Sequence, residues 1–293
     1  MLELPEIETL KLGLTKYIKG RTIEDIEIKV PKIFQGDKRD VVGAKIENIK
    51  RIGKGIIIEL DNDFVLAVHL KLTGQLVYVG KETQGKSLSP KTGGTLPSKF
   101  THVIFTLDPS TSSGQASYLY YNDVRRFGWI KLMHKDDIMS LPFFKEMGPE
   151  PDVTGEITGK PLTFNYFKNV VKKARVAIKI LIMDQKRIGG IGNIYANDAL
   201  FMAGIDPRRS ANSLSDVEIK RLYDSIFTVL EEGLKYGGSS DVNYVHADGG
   251  EGNYQFHTLV YGRTGKPCLN CSGTVKKIYL GGRGTFFCPS CQK

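Results

Sequence analysis

Apolar residues recur at helical spacing from the start of the chain. Ile7, Leu10, Leu14 and Ile18 fall on one side of a helix expected over residues 5–19, with Pro5 suited to its first turn. From residue 23 to 133 the pattern shortens to β-rich runs, among them 45–52, 55–60, 64–70, 101–107, 118–121 and 128–133, which together predict a β-sandwich. Residues 81–99 and 108–116 are rich in Gly, Ser, Thr, Pro and Lys and read as mobile surface loops without assigned chemistry. After Gly148-Pro149-Glu150-Pro151 the pattern turns helical, with helices expected over 163–173, 177–184, 193–203 and 215–236. The last carries capping-box spacing at Ser215 and Glu218, and Ile219, Leu222, Ile226, Leu230 and Leu234 line one face. A Gly-rich polar stretch, 237–253, leads to a cysteine-bearing end. The predicted class is therefore α+β multidomain: an N-terminal helix plus β-sandwich over 1–134, a linker over 135–150, a helical domain over 151–257 and a finger over 258–293.

The finger holds the chain's four cysteines, Cys268-x2-Cys271 and Cys288-x2-Cys291. Two thiolate pairs at this spacing complete the closed tetrahedral shell of one structural Zn²⁺. Between them, Val275, Ile278 and Tyr279 precede a Gly281-Gly282-Arg283-Gly284 turn and then Thr285, Phe286 and Phe287, the pattern of a β-hairpin tipped by an arginine. The competing reading, two disulfides in a secreted domain, is disfavoured because no leader-like segment opens the chain and 293 residues need no stapling.

That length is enough for a sizeable core. No apolar run approaches the roughly 20 residues needed to cross a bilayer, which fits the expected cytoplasmic location. Forty-one Lys and Arg against 32 Asp and Glu leave a formal +9. Such a charge favours a polyanionic partner, because neutralised phosphates release counterions.

Two further clusters fit nucleic acid. The glycines of Ile188-Gly189-Gly190-Ile191-Gly192-Asn193 let backbone amides approach an anion at the start of a helix, although glycines between helices ordinarily make only a turn. In Asn122-Asp123-Val124-Arg125-Arg126-Phe127-Gly128, Arg125 and Phe127 have the shapes needed to fill the space left by an extruded nucleotide; an ordinary strand end with solvated arginines is the plainer reading.

These motifs fall in order with others: Glu3-Leu4-Pro5-Glu6-Ile7-Glu8-Thr9, Arg51 to Gly55, His69-Leu70-Lys71-Leu72-Thr73-Gly74, Met183-Asp184-Gln185, Asn193-Ile194-Tyr195-Ala196 and Tyr261-Gly262-Arg263. Carried by these residues along nearly its whole length, the chain resembles the formamidopyrimidine-DNA glycosylase and endonuclease VIII superfamily, closer to the formamidopyrimidine branch. The resemblance implies a helix-two-turn-helix domain, a zinc finger, and excision of oxidised purines from duplex DNA by a monomer. It also implies that Lys54 and Asn193 hold phosphates near the lesion, that Arg283 contributes from the finger, and that Arg263 belongs to the DNA-binding set. Arg125, Phe127 and Leu72 would replace the flipped nucleotide; the family generally has methionine at the Leu72 position, a volume-conserving change. His69 would lie near the phosphates, with a core histidine as the competing reading.

One position departs from the pattern. The family's nucleophile is the secondary amine of an N-terminal proline, and here Leu2 stands in its place. Leucine is too bulky for ordinary methionine removal, so Met1 is expected to remain, its α-amine one residue out of register; a misplacement of about 1 Å costs on the order of a hundredfold. Glu3 keeps the carboxylate that the resemblance assigns to sugar-ring opening and proton transfer, help typically worth about 10² to 10⁴-fold. Three outcomes stay open: an exposed Leu2 amine, a reaching Met1 amine, or base release by water or none. The alternatives to the glycosylase are a binder of damaged or abasic DNA and an endonuclease VIII-type enzyme for oxidised pyrimidines.

Overall fold

A computed structural model of the chain describes residues 2–108, 114 and 116–293. They form two compact units, one reaching to Lys145 and including Tyr236–Asn253, the other made of Glu146–Lys235 and Tyr254–Lys293.

In the first unit, helix α1 (Leu4–Ile18) is buried on nearly every side, with Pro5 in its first turn. Glu3 is its N-cap and shares a reciprocal capping box with Glu6. The first sheet contains β1 (Ile23–Ile28), β6 (Gly74–Val79), β7 (Thr101–Leu107) and β8 (Ser117–Asp123) in the order β1-β7-β8-β6. The second contains β2 (Phe34–Gln35), β3 (Ile46–Ile52), β4 (Gly55–Leu60), β5 (Phe64–His69) and β9 (Trp129–His134) in the order β2-β9-β5-β4-β3. One core takes Ile56, Ile58, Leu66 and Val68 from the second sheet, Leu76, Val103, Phe105, Leu119 and Tyr121 from the first, and Ile7, Leu10 and Leu14 from α1. The residues alternate along the strands, as a sandwich requires.

The strands β1, β2 and β6 were not among the runs read from the sequence. β1 carries a bulge between Ile23 and Asp25, so Ile23 and Ile26 both face the core three residues apart and the period-two signal is lost. β6 is buried on both faces and shows no alternation. Residues 81–99 are also better fixed than their composition suggests: short 3-10 turns at Lys81–Thr83 and Pro90–Thr92 bury Thr83, Ser89 and Thr92, which corrects the expectation of a mobile loop. Most of the expected 108–116 loop, like Met1, lies outside the described residues. A short helix, α2 (Pro142–Lys145), closes the unit.

The second unit contains α3 (Phe164–Lys173), α4 (Ile178–Ile182), α5 (Asn193–Met202) and α6 (Asp216–Lys235). The Ser215/Glu218 capping box is present: Ser215 N–H donates to Glu218 at 2.8 Å and Glu218 N–H to Ser215 Oγ at 3.3 Å. Helix α6 packs on α5 where Gly233 lies against Tyr195, leaving no room for a side chain. The finger's strands are β10 (Lys276–Leu280) and β11 (Arg283–Phe287); the turn is Gly281-Gly282, both with positive φ, and Arg283 is the first residue of β11 rather than part of the turn. Among the described residues no helix is long and apolar enough to cross a membrane.

Asp198 on α5 ties the helices to the approach to the finger. Fully buried, it accepts from the N–H groups of Leu259, Val260 and Tyr261 and from the Tyr254 hydroxyl, at 3.0–3.1 Å. Asp198→Asn keeps the shape but turns one acceptor into a donor facing donors. It is expected to lower the unfolding free energy of the zinc-loaded protein by about 2–4 kcal/mol in urea titrations.

Candidate functional site

The candidate residues divide between the two units. In the first, Glu3 sits at the positive end of α1 and is fully buried, its N–H donating to Glu6 Oε2 at 2.8 Å. Leu2 is 5% exposed and belongs to the sandwich core, so its side chain is an anchor at the position where the resemblance puts the nucleophile. Behind them Arg51 donates to Glu8 at 2.6 Å and to the Gly53 carbonyl at 2.9 Å, fixing the turn that carries Lys54.

Lys54 is buried, and its charge is felt by His69. Burial, aided by the charges of Lys71 and Lys54, pushes the His69 pKa down to about 3, so the ring is neutral at physiological pH. His69 Nδ1 accepts from the Lys71 N–H at 2.9 Å, which leaves the proton on Nε2. The ring packs edge-on against Phe143 at 4.4 Å and beside Trp129 at 5.8 Å. His69 is therefore packed as a core histidine, the second of the two readings taken from the sequence.

Leu72, Arg125 and Phe127 lie on two loops joined by one buried carboxylate. Asp123 accepts from Thr73 Oγ1 at 2.5 Å, Arg125 N–H at 3.1 Å and Gly128 N–H at 2.8 Å. Arg125 N–H also donates to Thr73 Oγ1 at 3.1 Å. Arg126 (φ 57) and Lys71 (φ 54) are both left-handed, a conformation that costs a non-glycine residue of order 1 kcal/mol. The result is an exposed aromatic on a braced loop: Phe127 is 56% exposed, with the Arg125 guanidinium over its ring at 4.7 Å. Leu72 is half-buried. The sequence does not single out Asp123 and Thr73 as site residues; the available signal is an acid two residues ahead of paired arginines.

In the second unit, Asn193 opens α5 and donates to the Gly284 carbonyl at 3.1 Å, beside the exposed Arg283. Buried Lys179 donates to the same carbonyl at 2.9 Å and to Thr285 Oγ1 at 2.7 Å, and Asn197 accepts from Phe286 N–H at 2.8 Å. These bonds seat the hairpin on α4 and α5, a role for Lys179 and Asn197 that the sequence does not disclose. Arg263 is half-buried and donates to the Pro267 carbonyl at 3.0 Å, next to the first knuckle.

All four cysteines are free thiols, which removes the disulfide reading, and their sulfurs lie within 4.8 Å of one another. Cys268–Cys291 and Cys271–Cys288 are each 3.7 Å apart. A tetrahedral Zn²⁺ bound at about 2.3 Å requires sulfurs roughly 3.8 Å apart, so the donor set fits one structural zinc. Cys268 and Cys288 share a small core with Phe201, Val260, Val275 and Phe286.

Three family models match the chain: the formamidopyrimidine-DNA glycosylase N-terminal domain over residues 1–130, the formamidopyrimidine-DNA glycosylase H2TH domain over 147–244, and the zinc finger found in FPG and IleRS over 265–293. The chain is 38% identical over 301 residues to a formamidopyrimidine-DNA glycosylase of Heliobacterium modesticaldum, with 100% of each chain covered. To that of Bacillus subtilis it is 36% identical over 300 residues, covering 100% of this chain and 99% of the relative. Among solved structures it resembles the Lactococcus lactis Fpg in complex with DNA containing an abasic site, at TM-score 0.83 and 32% identity over 99% of both chains. The same protein with N7-benzyl-Fapy-dG DNA gives TM-score 0.84 at 32% identity, again over 99% of both.

Two measurements test this geometry. The folded-state pKa of His69 lies below its unfolded value, so the unfolded chain takes up the proton first, and stability complete above about pH 6.5 is lost as pH falls toward 3. Between pH 7 and 5 the His69→Asn protein should lose about 1–2 kcal/mol less than the native chain in chemical unfolding. Elemental analysis should find one zinc per chain, and chelation should raise hydrogen exchange across β10 and β11 while leaving the sandwich protected.

Proposed function

This chain belongs to the formamidopyrimidine-DNA glycosylase family, and on that premise we propose that it is a base-excision DNA N-glycosylase that flips oxidised purines, such as 8-oxoguanine or a formamidopyrimidine, out of duplex DNA and breaks their glycosidic bond. The Lactococcus lactis relative has been solved with abasic, Fapy-dG and oxidised-pyrimidine DNA. We carry damaged duplex DNA to this chain as its partner and place the chain in the purine-directed branch on its Gly148–Pro151 stretch and overall arrangement. The domain division read from the sequence, monomeric action and a bacterial cytoplasm belong to the same reading. The observation that supports it is the wedge: an exposed Phe127 under Arg125, on a loop braced by Asp123 at a backbone cost, has the shape to fill a vacated base position.

Lys54, Asn193 and Arg283 serve as phosphate contacts, with Arg263 and His69 in the DNA-binding set and Leu72 beside the wedge. Zinc keeps the hairpin rigid and takes no part in the chemistry. Glu3 assists opening of the sugar ring and moves the proton. With an amine as nucleophile, nitrogen bonds to the anomeric carbon, the base departs with a proton and an imine remains; with water, the same bond breaks and no adduct forms. Met1 or Leu2 supplies the amine in the first route. Leu2 offers no secondary amine and is anchored in the core, which also favours a second reading: a damage-binding protein that has lost its nucleophile.

Incubation with an 8-oxoguanine duplex and borohydride separates these. We expect base release with little trapped adduct, and at least about a hundredfold more adduct from Leu2→Pro once Met1 is removed. An inactive native chain whose Leu2→Pro variant excises establishes the second reading. Absence of release from any oxidised duplex by both proteins ends the enzyme assignment.

A further inference from the structure

The strap Tyr236–Asn253 begins at Gly237 and Gly238, both with positive φ. Ser239 N–H donates to Glu6 Oε1 at 2.8 Å, and Glu6 Oε2 accepts from the Glu3 N–H, also at 2.8 Å. One buried carboxylate thus joins the strap to the backbone of Glu3. Tyr244 and Ala247 enter the same core as Leu2, and the Ala247 carbonyl accepts from Tyr78 N–H at 2.6 Å.

The other side of the strap is gripped by residues 84–92. Lys86 pairs with Asp248 at 2.5 Å and donates to the Tyr17 hydroxyl at 3.2 Å. Ser89 N–H donates to the Gly249 carbonyl at 2.9 Å, and its hydroxyl donates to Glu251. Lys91 pairs with Glu251 at 2.6 Å and donates to the Ser240 carbonyl. Gln75 ties both partners, donating to the Asn243 carbonyl at 2.7 Å and the Lys91 carbonyl at 3.0 Å. Gly249 has φ +81, and Leu88 occupies the space a side chain there would need. Composition assigns Lys86 and Lys91 no chemistry, yet both ammoniums are committed to carboxylates of the strap.

We propose that residues 84–92 are a positioning clamp: they hold the strap, the strap holds Glu6, and Glu6 holds the Glu3 backbone where the flipped nucleotide's sugar is attacked. The kinetic half rests on the base-excision reading above. Lys86 and Lys91 are positioning residues, acting through Asp248, Glu251 and Glu6. Each ion pair is modest alone, but both act on one segment, and their loss should raise local opening of the strap by about tenfold.

The test uses the full zinc-loaded chain carrying Asp248→Asn and Glu251→Gln. These substitutions keep the acceptors for Gly250 N–H and Ser89 Oγ, remove both ion pairs and raise the net charge by two, so charge alone would strengthen DNA binding. Hydrogen exchange should rise about tenfold across 239–251 and in the peptide 2–8. Single-turnover base release should slow by about tenfold while duplex affinity falls by less than about threefold. The charge exchange Lys86→Asp with Asp248→Lys and Lys91→Asp with Glu251→Lys preserves net charge and should return both exchange and rate toward native values. Unchanged strap exchange overturns the clamp. So does a loosened strap with unaltered exchange in 2–8, or a charge exchange that restores neither readout. If no duplex is excised even by the native chain, the base-excision reading has failed, and exchange in 2–8 decides the clamp alone.

Discussion

A buried carboxylate that accepts backbone N–H groups is the interaction on which the organisation of both units depends. Taking an ionised acid out of water is costly unless its oxygens are fully used, and charge-assisted bonds to amides use them. Glu6 accepts from the N–H groups of Glu3 and Ser239, Asp123 from those of Arg125 and Gly128, and Asp198 from three successive amides ahead of the first cysteine pair. In each case the acid stands on a helix or at a strand end, and the amides belong to irregular chain. A segment with no ladder of its own is thereby fixed to regular structure by a pair of oxygens. Of the candidate side chains, Arg125 and Phe127 are carried on such a segment.

The same arrangement explains what could be read from residues alone. Where geometry follows from local spacing, the reading held: Ser215 and Glu218 cap α6, and two C-x2-C pairs bring four sulfurs to tetrahedral separation. It weakened where a backbone irregularity shifts the phase. The β1 bulge hides a strand, and double-sided burial hides β6. It failed where order comes from partners distant in sequence. Residues 81–99 look like a solvated loop because Gly, Ser, Thr and Lys dominate, and only the fold shows Ser89, Lys86 and Lys91 meeting residues more than 150 positions away. Lys179 was invisible for the same reason: a lysine beside isoleucines gives no hint that its ammonium seats the hairpin.

The wedge illustrates how strain and polarity are balanced locally. Left-handed Arg126 and Lys71 oppose the fold by of order 1 kcal/mol each, and the bonds to Asp123, together with the Thr73 hydroxyl between the loops, offset them. An exposed Phe127 adds little to stability, since its ring remains in water. Sandwich stability alone does not account for that combination; the proposed contact with DNA would give the ring a use.

Position 2 is the opposite case: its packing is good, and only the proposed function asks chemistry of it. Leu2 contributes an apolar side chain to the core that contains Tyr244 and Ala247 of the strap. It therefore anchors the first residues, and under the proposed function it offers no secondary amine where the resemblance puts one. Binding and reaction draw on different groups in this chain: grip on damaged DNA, as proposed here, comes from the wedge, the phosphate contacts and the hairpin, none of which includes position 2. A change there can abolish covalent chemistry while leaving recognition whole, since an interaction made only in the transition state contributes nothing to the ground-state complex. The geometry around Glu3 has its capping box and its link to the strap, so the proposed reacting centre is held in place whichever nucleophile reaches it.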